Sequence, residues 1–318
     1  MLIPYFLLPL TLAHPLIPPP TNTTTQILPT LRLLLTLTTL EAFLHAQACN
    51  ELDPFAFAAA DLNTTVYDTV CEIAIEKAAI VMEFNGLLEA LGTPSVSEGC
   101  EYDFVHGSVE GYGRTAREVG MLGVGAFLGG VKVTAELPNL QEFLASIATT
   151  EARHDAAIRA AFGALPAPSI HDTSIPPAWA YNLIRKWTSS CPESLGYPIF
   201  PHLNATTSGK PDNGTDDSIA KDLLISLSWK PSDFAVEVDA KQPLYLALVD
   251  SILGSRPTIL SVQRKMVNGT IHTGDAIIPG ELTSGVAFAA LTTFVELNSV
   301  EDLVEYGTLA GPVEILMS

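Results

Sequence analysis

The stretch Glu151-Ala152-Arg153-His154 interrupts a helix face that is otherwise apolar. That face is made of residues three or four positions apart, namely Leu140, Leu144, Ile147, Glu151, His154, Ile158 and Phe162. The spacing predicts an amphipathic helix, so a carboxylate and an imidazole stand in the row that should be buried. Burying a charge costs on the order of several kcal/mol unless the charge is paired or bound to a metal. We therefore expect partners for Glu151 and His154 on other helices.

Three further helices carry carboxylates in their apolar rows. The four long helices are predicted at residues 31–48, 65–91, 109–135 and 139–162. Glu41 lies in the row of the first helix and Glu118 in the row of the third. In the second helix, the row Ile73, Glu76, Ile80, Glu83, Leu87, Leu91 holds two carboxylates. The pattern predicts a four-helix bundle with an acidic interior.

Acidic residues at matching depth in a bundle suggest a metal site. In di-iron and di-manganese bundles, two helices give one Glu each and two give Glu-x-x-His, all pointing inward. Glu and His at positions i and i+3 share a helix face and can hold one ion together. Oxygen and imidazole ligands suit Fe or Mn. The hypothetical ligand set is Glu41, Glu76, Glu118, Glu151 and His154.

The chain also carries several short motifs that point to one group of proteins. They are Leu40-Glu41-Ala42-Phe43, Glu118-Val119-Gly120, Ala126-Phe127-Leu128-Gly129, Glu151-Ala152-Arg153-His154, His171-Asp172-Thr173 with Pro176, Ser190-Cys191-Pro192 and Ala310-Gly311-Pro312. Together they resemble the secreted ferritin-like proteins of fungi, which are related to plant desiccation-related proteins. The resemblance implies a ferritin-like bundle with a β-rich tail and a stress-associated role. It also implies Fe or Mn as cofactor and an association with the cell wall.

The second helix departs from the pattern of that family, which usually carries Glu-x-x-His there. If Glu76 is the ligand, Ala79 stands where the His should be; in a second register, Ile80 and Glu83 occupy the two places. Glu76 and Glu83 are two turns, roughly 10 Å, apart along the helix, so one ion is not expected to bind both. The metal site is therefore altered, reduced to one ion, or lost. In the alternative interpretation, Glu151 and His154 are a satisfied core pair, with Arg117 or Arg153 as the base.

The two ends of the chain indicate export and a second domain. Residues 1–13 (MLIPYFLLPLTLA) resemble a secretory signal peptide, too short to span a bilayer, and residues 14–30 read as an extended lead-in. Five glycosylation sequons begin at Asn22, Asn63, Asn204, Asn213 and Asn268. The bundle is assigned to residues 31–195, followed by a linker at 196–221 and a β-rich domain at 222–318. In that domain, strands are predicted at residues 233–238, 244–249, 258–262, 285–294 and 312–317. The overall class is α+β, with a small β-sandwich-like domain after the bundle.

The cysteine content of the chain predicts its disulfides, and its net charge argues against some classes of binding partner. Four cysteines in an exported chain suggest two disulfides. Sequence does not decide their connectivity, and we favour Cys49–Cys71 and Cys100–Cys191. The net charge of −19 argues against nucleic acid and anionic membranes as partners. Metal cations are the favoured small ligands.

Two functional hypotheses follow. The first is a secreted, stress-associated metal-binding protein or oxidase-like enzyme with Fe or Mn. The second is a non-catalytic extracellular or cell-wall protein that keeps the bundle with a vestigial metal site. Whether the protein is an enzyme stays open, because a fold does not determine an activity.

Overall fold

The structure is a computed structural model. It describes residues 24–93, 100–104, 107–191, 194–208, 222–239, 241–250, 256–265, 270–282 and 285–316. The predicted signal peptide, the lead-in up to residue 23 and the sequons at Asn22, Asn213 and Asn268 lie outside these residues. The sequon asparagines Asn63 and Asn204 lie within them, and both are exposed.

The first part of the chain is helical. Its helices are α1 (Thr24–Glu51), α2 (Pro54–Ala59), α3 (Thr64–Ala90), α4 (Val109–Val133), α5 (Pro138–Ala161) and α6 (Pro177–Ile184). Helix α1 packs along α3 and also against α4, while α4 packs along α5. These four long helices form the predicted bundle around one hydrophobic core. Asn63 begins α3, because its side-chain oxygen accepts a hydrogen bond from the Thr65 amide.

Helix α1 begins seven residues earlier than predicted, so residues 24–30 are not an extended lead-in. Pro29 lies inside the helix, although proline disfavours helix interiors because it lacks an amide donor. The buried side chains of Ile27 and Leu31 explain the difference, because packing against the bundle outweighs the local preference. The span Ile27–Glu51 is the one helix in the described residues that is long and apolar enough to cross a membrane. Two thirds of its most apolar window is buried within the protein.

The second part of the chain is built from antiparallel strands. The strands are β1 (Glu101–Tyr102), β2 (Thr188–Ser190), β3 (Leu203–Ser208), β4 (Leu223–Trp229), β5 (Tyr245–Val249), β6 (Thr258–Ser261), β7 (Gln263–Lys265), β8 (His272–Ile278), β9 (Val286–Thr292) and β10 (Ala310–Leu316). Strands β1 and β2 pair with each other beside the bundle. The others form two four-stranded sheets, ordered β10-β9-β5-β6 and β3-β4-β8-β7. Both sheets contribute to a second hydrophobic core, as expected for a β-sandwich.

The strand predictions were partly wrong. Residues 233–238, predicted as a strand, contain a short 3₁₀ turn and irregular chain instead. The segment predicted as a linker contains β3, which pairs with β4 along its whole length. Strand β4 buries Ile225, Leu227 and Trp229 on alternate positions, which is the period of a half-buried strand. The β-rich domain therefore begins before the predicted boundary at residue 222.

The sandwich packs directly on the bundle through the sheet that contains β5 and β9. One face of that sheet belongs to the sandwich core, while Val249, Phe288 and their neighbours belong to the core of the bundle. The segment before α6 lies against α4, where the Ile175 amide donates to the Gly125 carbonyl (2.9 Å). A Cβ at Gly129 would clash with the Ile175 carbonyl oxygen. The glycines at positions 125 and 129 thus allow this extended segment to approach α4 closely.

Two disulfides connect the helical elements, and their pairing confirms the prediction. Cys49–Cys71 joins α1 to α3. Cys100–Cys191 joins the segment before α4 to the segment after β2. No cysteine in the chain is left free.

Candidate metal centre

A lysine side chain lies between the two most deeply buried carboxylates of the bundle. Lys77 Nζ donates to Glu41 Oε2 at 2.6 Å and also to Glu151 Oε2. The Lys77 side chain is 2% exposed and the two glutamate side chains are 1% exposed. Two of the three carboxylates expected to converge, Glu41 and Glu151, thus lie together in the interior of the bundle. Their partner, however, is an ammonium group that the sequence did not lead us to expect.

Lys77 points inward because α3 buries a different row from the predicted one. The observed buried row is Val70, Ile73, Lys77, Ile80, Phe84 and Leu88. Glu76 and Glu83 are therefore exposed, and neither belongs to the core row in which they were placed. Both rows have helical spacing and share Ile73 and Ile80. The observed row also buries Phe84, whereas the predicted row would have buried Glu83 in its place.

Glu118 does not join Glu41 and Glu151. Its carboxylate accepts a hydrogen bond from Lys186 Nζ on a partly exposed surface. The face of α4 that looks into the bundle carries Tyr112, Ala116, Val119, Gly123 and Phe127. A Cβ at Gly123 would clash with Glu41 Oε1. Helix α4 thus presents a glycine, and not a carboxylate, at the level of the Lys77 ion pair.

His154 and Glu76 form a second pair near the rim of the same helices. His154 Nε2 lies 2.6 Å from Glu76 Oε2, and the side chains are 14% and 51% exposed. Burial and the charge of Lys77 lower the pKa of His154, although the hydrogen bond with Glu76 acts in the opposite direction. His154 Nδ1 is buried without a hydrogen-bond partner. The structure thus brings together Glu76 and His154, two members of the hypothetical ligand set, as a direct pair.

His45 lies one turn after Glu41 and is held by Tyr112. Its Nδ1 lies 2.7 Å from the Tyr112 hydroxyl, and both side chains are buried. Burial lowers the pKa of His45 to about 3, and the positive charges of Lys77 and His154 add to the shift. His45 is therefore a neutral structural imidazole whose Nδ1 is already engaged.

We expect His45 to make the protein less stable in acid. The folded state holds the imidazole neutral down to a pKa of about 3, whereas the unfolded chain binds the proton near 6.5. Between these values the unfolded state carries more protons, so the free energy of unfolding falls as the pH falls. The slope due to this group is at most about 1.4 kcal/mol per pH unit. Urea denaturation of wild type and His45→Gln from pH 7 to 4 should give converging curves, and parallel curves would contradict the assignment.

Burial and mutual contact shift the pKa values of Glu41 and Lys77, which form the central cluster with Glu151. Burial raises the pKa of Glu41 to about 8, and the charge of Glu151 adds to this, while Lys77 opposes it. Burial alone would lower the pKa of Lys77, but the charges of Glu151 and Glu41 outweigh it and raise that pKa. Lys77 is thus an ammonium group at neutral pH, and it lies between Glu151 and the Glu41 carboxyl group, whose raised pKa favours the protonated form at neutral pH.

The residues of this centre do not fit Fe or Mn. An ion bridging Glu41 and Glu151 would have to occupy the space of the Lys77 ammonium, and the two positive charges would repel each other. Glu118 is bound to Lys186, and α4 has a glycine, Gly123, at the level of Glu41 and Glu151. Within the part of the chain that the structure describes, no group of three or more His, Cys, Asp or Glu side chains is arranged to hold a metal ion. At this level of the bundle the arrangement provides a buried ion pair.

Four long helices around one core, with buried carboxylates on two of them, define a ferritin-like fold. The comparison with protein families agrees, because residues 28–164 match the family described as the ferritin-like domain. The matched residues run from α1 to the end of α5 and include Glu41, Lys77 and Glu151. No curated protein matches the chain. The chain therefore consists of a ferritin-like domain followed by antiparallel β-sheets.

Proposed function

We propose that this protein is an exported, non-catalytic structural protein, in which a lysine ion pair replaces the metal of the ferritin-like bundle. The observation that carries the proposal is the contact of Lys77 Nζ with both Glu41 and Glu151. A buried ammonium between two carboxylates neutralises charge as a metal would, but it has no open coordination position and no redox chemistry.

Export is supported by covalent features of the described residues. Two disulfides persist in oxidising compartments and are rare in the cytosol. The exposed asparagines Asn63 and Asn204 offer accessible glycosylation sites. The stress-associated role and the association with the cell wall rest on the resemblance to secreted fungal ferritin-like proteins.

Metal analysis tests the proposal directly. Protein secreted in medium that contains Fe and Mn should carry far less than one equivalent of either metal, as measured by plasma mass spectrometry. The Glu151→Ala and His154→Ala variants should give the same low values, because no metal is lost with the side chain. One equivalent of Fe or Mn in the wild type that disappears in Glu151→Ala would overturn the proposal.

A metal-binding function is the second candidate, and one observation favours it. Glu41 Oε1, Glu151 Oε1 and His154 Nδ1 are buried atoms without hydrogen-bond partners. If Lys77 left the centre, the two carboxylates would lie close enough to share a cation. O₂ consumption with a reductant, measured on protein shown to hold metal, would then separate an oxidase from a storage or structural protein.

A further inference from the structure

The contact between Lys77 and Glu151 places an amine next to a carboxyl group where water is excluded. All three side chains of the cluster are at most 2% exposed. Two opposite charges that are removed from water lose much of their solvation, and their attraction repays this only in part. An amide bond between the same two groups removes both charges and leaves a neutral group of similar volume. The burial that makes the ion pair costly thus favours its condensation.

We propose that Lys77 and Glu151 condense to an intramolecular amide bond that joins α3 to α5. Glu41 is the group that relays protons, because its Oε2 lies 2.6 Å from Lys77 Nζ. Glu151 is assigned as the acyl donor, and its Oε2 accepts a hydrogen bond from Lys77 Nζ. The site is a covalent modification site built from the chain alone.

The reaction balances without any co-reactant. Glu41 gives its own proton to the Glu151 carboxylate and takes one from the Lys77 ammonium, so that a neutral amine faces a neutral acid. Nζ then attacks Glu151 Cδ and forms the C–N bond. Glu41 carries a second proton from the nitrogen to the departing hydroxyl, the C–O bond breaks, and one water molecule leaves. Glu41 returns to its starting state, and no atom changes its oxidation state.

The proposed amide bond would link two helices, α3 and α5, that no disulfide connects. Helix α1 packs along α3 and α4 along α5, whereas α3 and α5 make few contacts with each other. The disulfide Cys49–Cys71 joins α1 to α3, and Cys100–Cys191 joins segments outside the four long helices. Neither links α3 to α5. An amide between Lys77 and Glu151 would therefore join covalently two helices of the bundle that make few contacts with each other.

Peptide mapping of the secreted, full-length protein tests the proposal. The protein is deglycosylated, reduced, alkylated and digested with trypsin, and the peptides are sequenced by tandem mass spectrometry. We expect a branched peptide that holds Lys77 and Glu151, one water molecule lighter than its two parts, with no cleavage after Lys77. Linear peptides ending at Lys77, recovered in place of the branched one, would overturn the proposal, as would a branch on Glu41.

Matched variants separate the bond from the ion pair. Lys77→Arg keeps a buried cation but has no amine that condenses, so the branched peptide should be absent. Glu41→Gln removes the proton relay, and we expect bond formation to slow by on the order of a hundredfold. An unchanged linked fraction at early times would exclude this role of Glu41. Lys186→Arg, in an exposed pair with Glu118, should leave the branched peptide intact.

This inference goes beyond the proposed function, and the two fail separately. A protein that is free of metal and also free of the branched peptide would keep the proposed function and overturn the amide bond. A protein that holds one equivalent of metal at Glu151 would overturn both.

Discussion

Replacing Lys77 by methionine is expected to lower the free energy of unfolding by about 3–5 kcal/mol, because removing one partner of a buried ion pair leaves uncompensated charge. Glu41 and Glu151 would then face each other without a cation in a region that is 1% exposed. The figure applies to the ion pair, and loss of the proposed amide would add the loop entropy of a covalent link. Urea or guanidinium denaturation at neutral pH, followed by circular dichroism, measures the change.

Two control variants give this prediction its specificity. Lys132→Met removes an ion pair with Glu301 in which both side chains are more than half exposed, and it should cost at most about 1 kcal/mol. The triple variant Lys77→Met, Glu41→Gln, Glu151→Met replaces the whole charged cluster and should recover most of the lost stability. Equal effects of Lys77→Met and Lys132→Met would show that the central cluster carries no special burial cost.

Removing the disulfide Cys100–Cys191 is expected to have the second large effect, a loss of about 4–5 kcal/mol. Its two cysteines are 91 residues apart, so the bond restricts a long loop in the unfolded chain. The chain-entropy estimate for a loop of about 100 residues is near 4.7 kcal/mol, against about 3 kcal/mol for a loop of about 15. The double variant Cys100→Ser, Cys191→Ser isolates this contribution in chemical denaturation.

The matched comparison is the double variant Cys49→Ser, Cys71→Ser, whose cysteines are 22 residues apart. It should lose less stability than the Cys100–Cys191 variant, because its loop is shorter. Both are best made in a Lys77→Arg background, so that the proposed amide does not shorten the loops. A larger loss from the short loop would show that native contacts around Cys49 and Cys71, and not loop entropy, dominate.

Several features of the fold followed from local patterns. The rows of apolar residues predicted four long helices, and Gly92 marked the end of α3 correctly. The position of Glu151 in an apolar row predicted a buried partner, and in the structure Glu41 and Glu151 are both buried and both contact Lys77. The β-rich character of the C-terminal part was also visible, although β3, β4, β7 and β8 were not predicted.

The candidate site was harder to predict, because helical spacing does not single out one row. Glu76 and Lys77 are neighbours in the chain, and rows through either of them have steps of three and four residues. The rule that charged side chains avoid the core cannot choose between the two rows, because the row through Glu76 and the row through Lys77 each contain a charged residue. Glu118 presented the same ambiguity, as Ala116 and Val119 occupy the inward face of α4.

The sequence by itself therefore determined the helical and β-rich halves, and the unusual presence of Glu41 and Glu151 in apolar rows. Only the tertiary structure decided that Lys77 is their partner. The reason is that a buried ammonium is stable only where carboxyl groups from other helices are positioned to accept its hydrogen bonds. Those carboxylates come from α1 and α5, 36 and 74 residues away along the chain. No local sequence pattern predicts a contact of this kind. The Lys77 ammonium group therefore occupies the position that the sequence assigned to a metal ion.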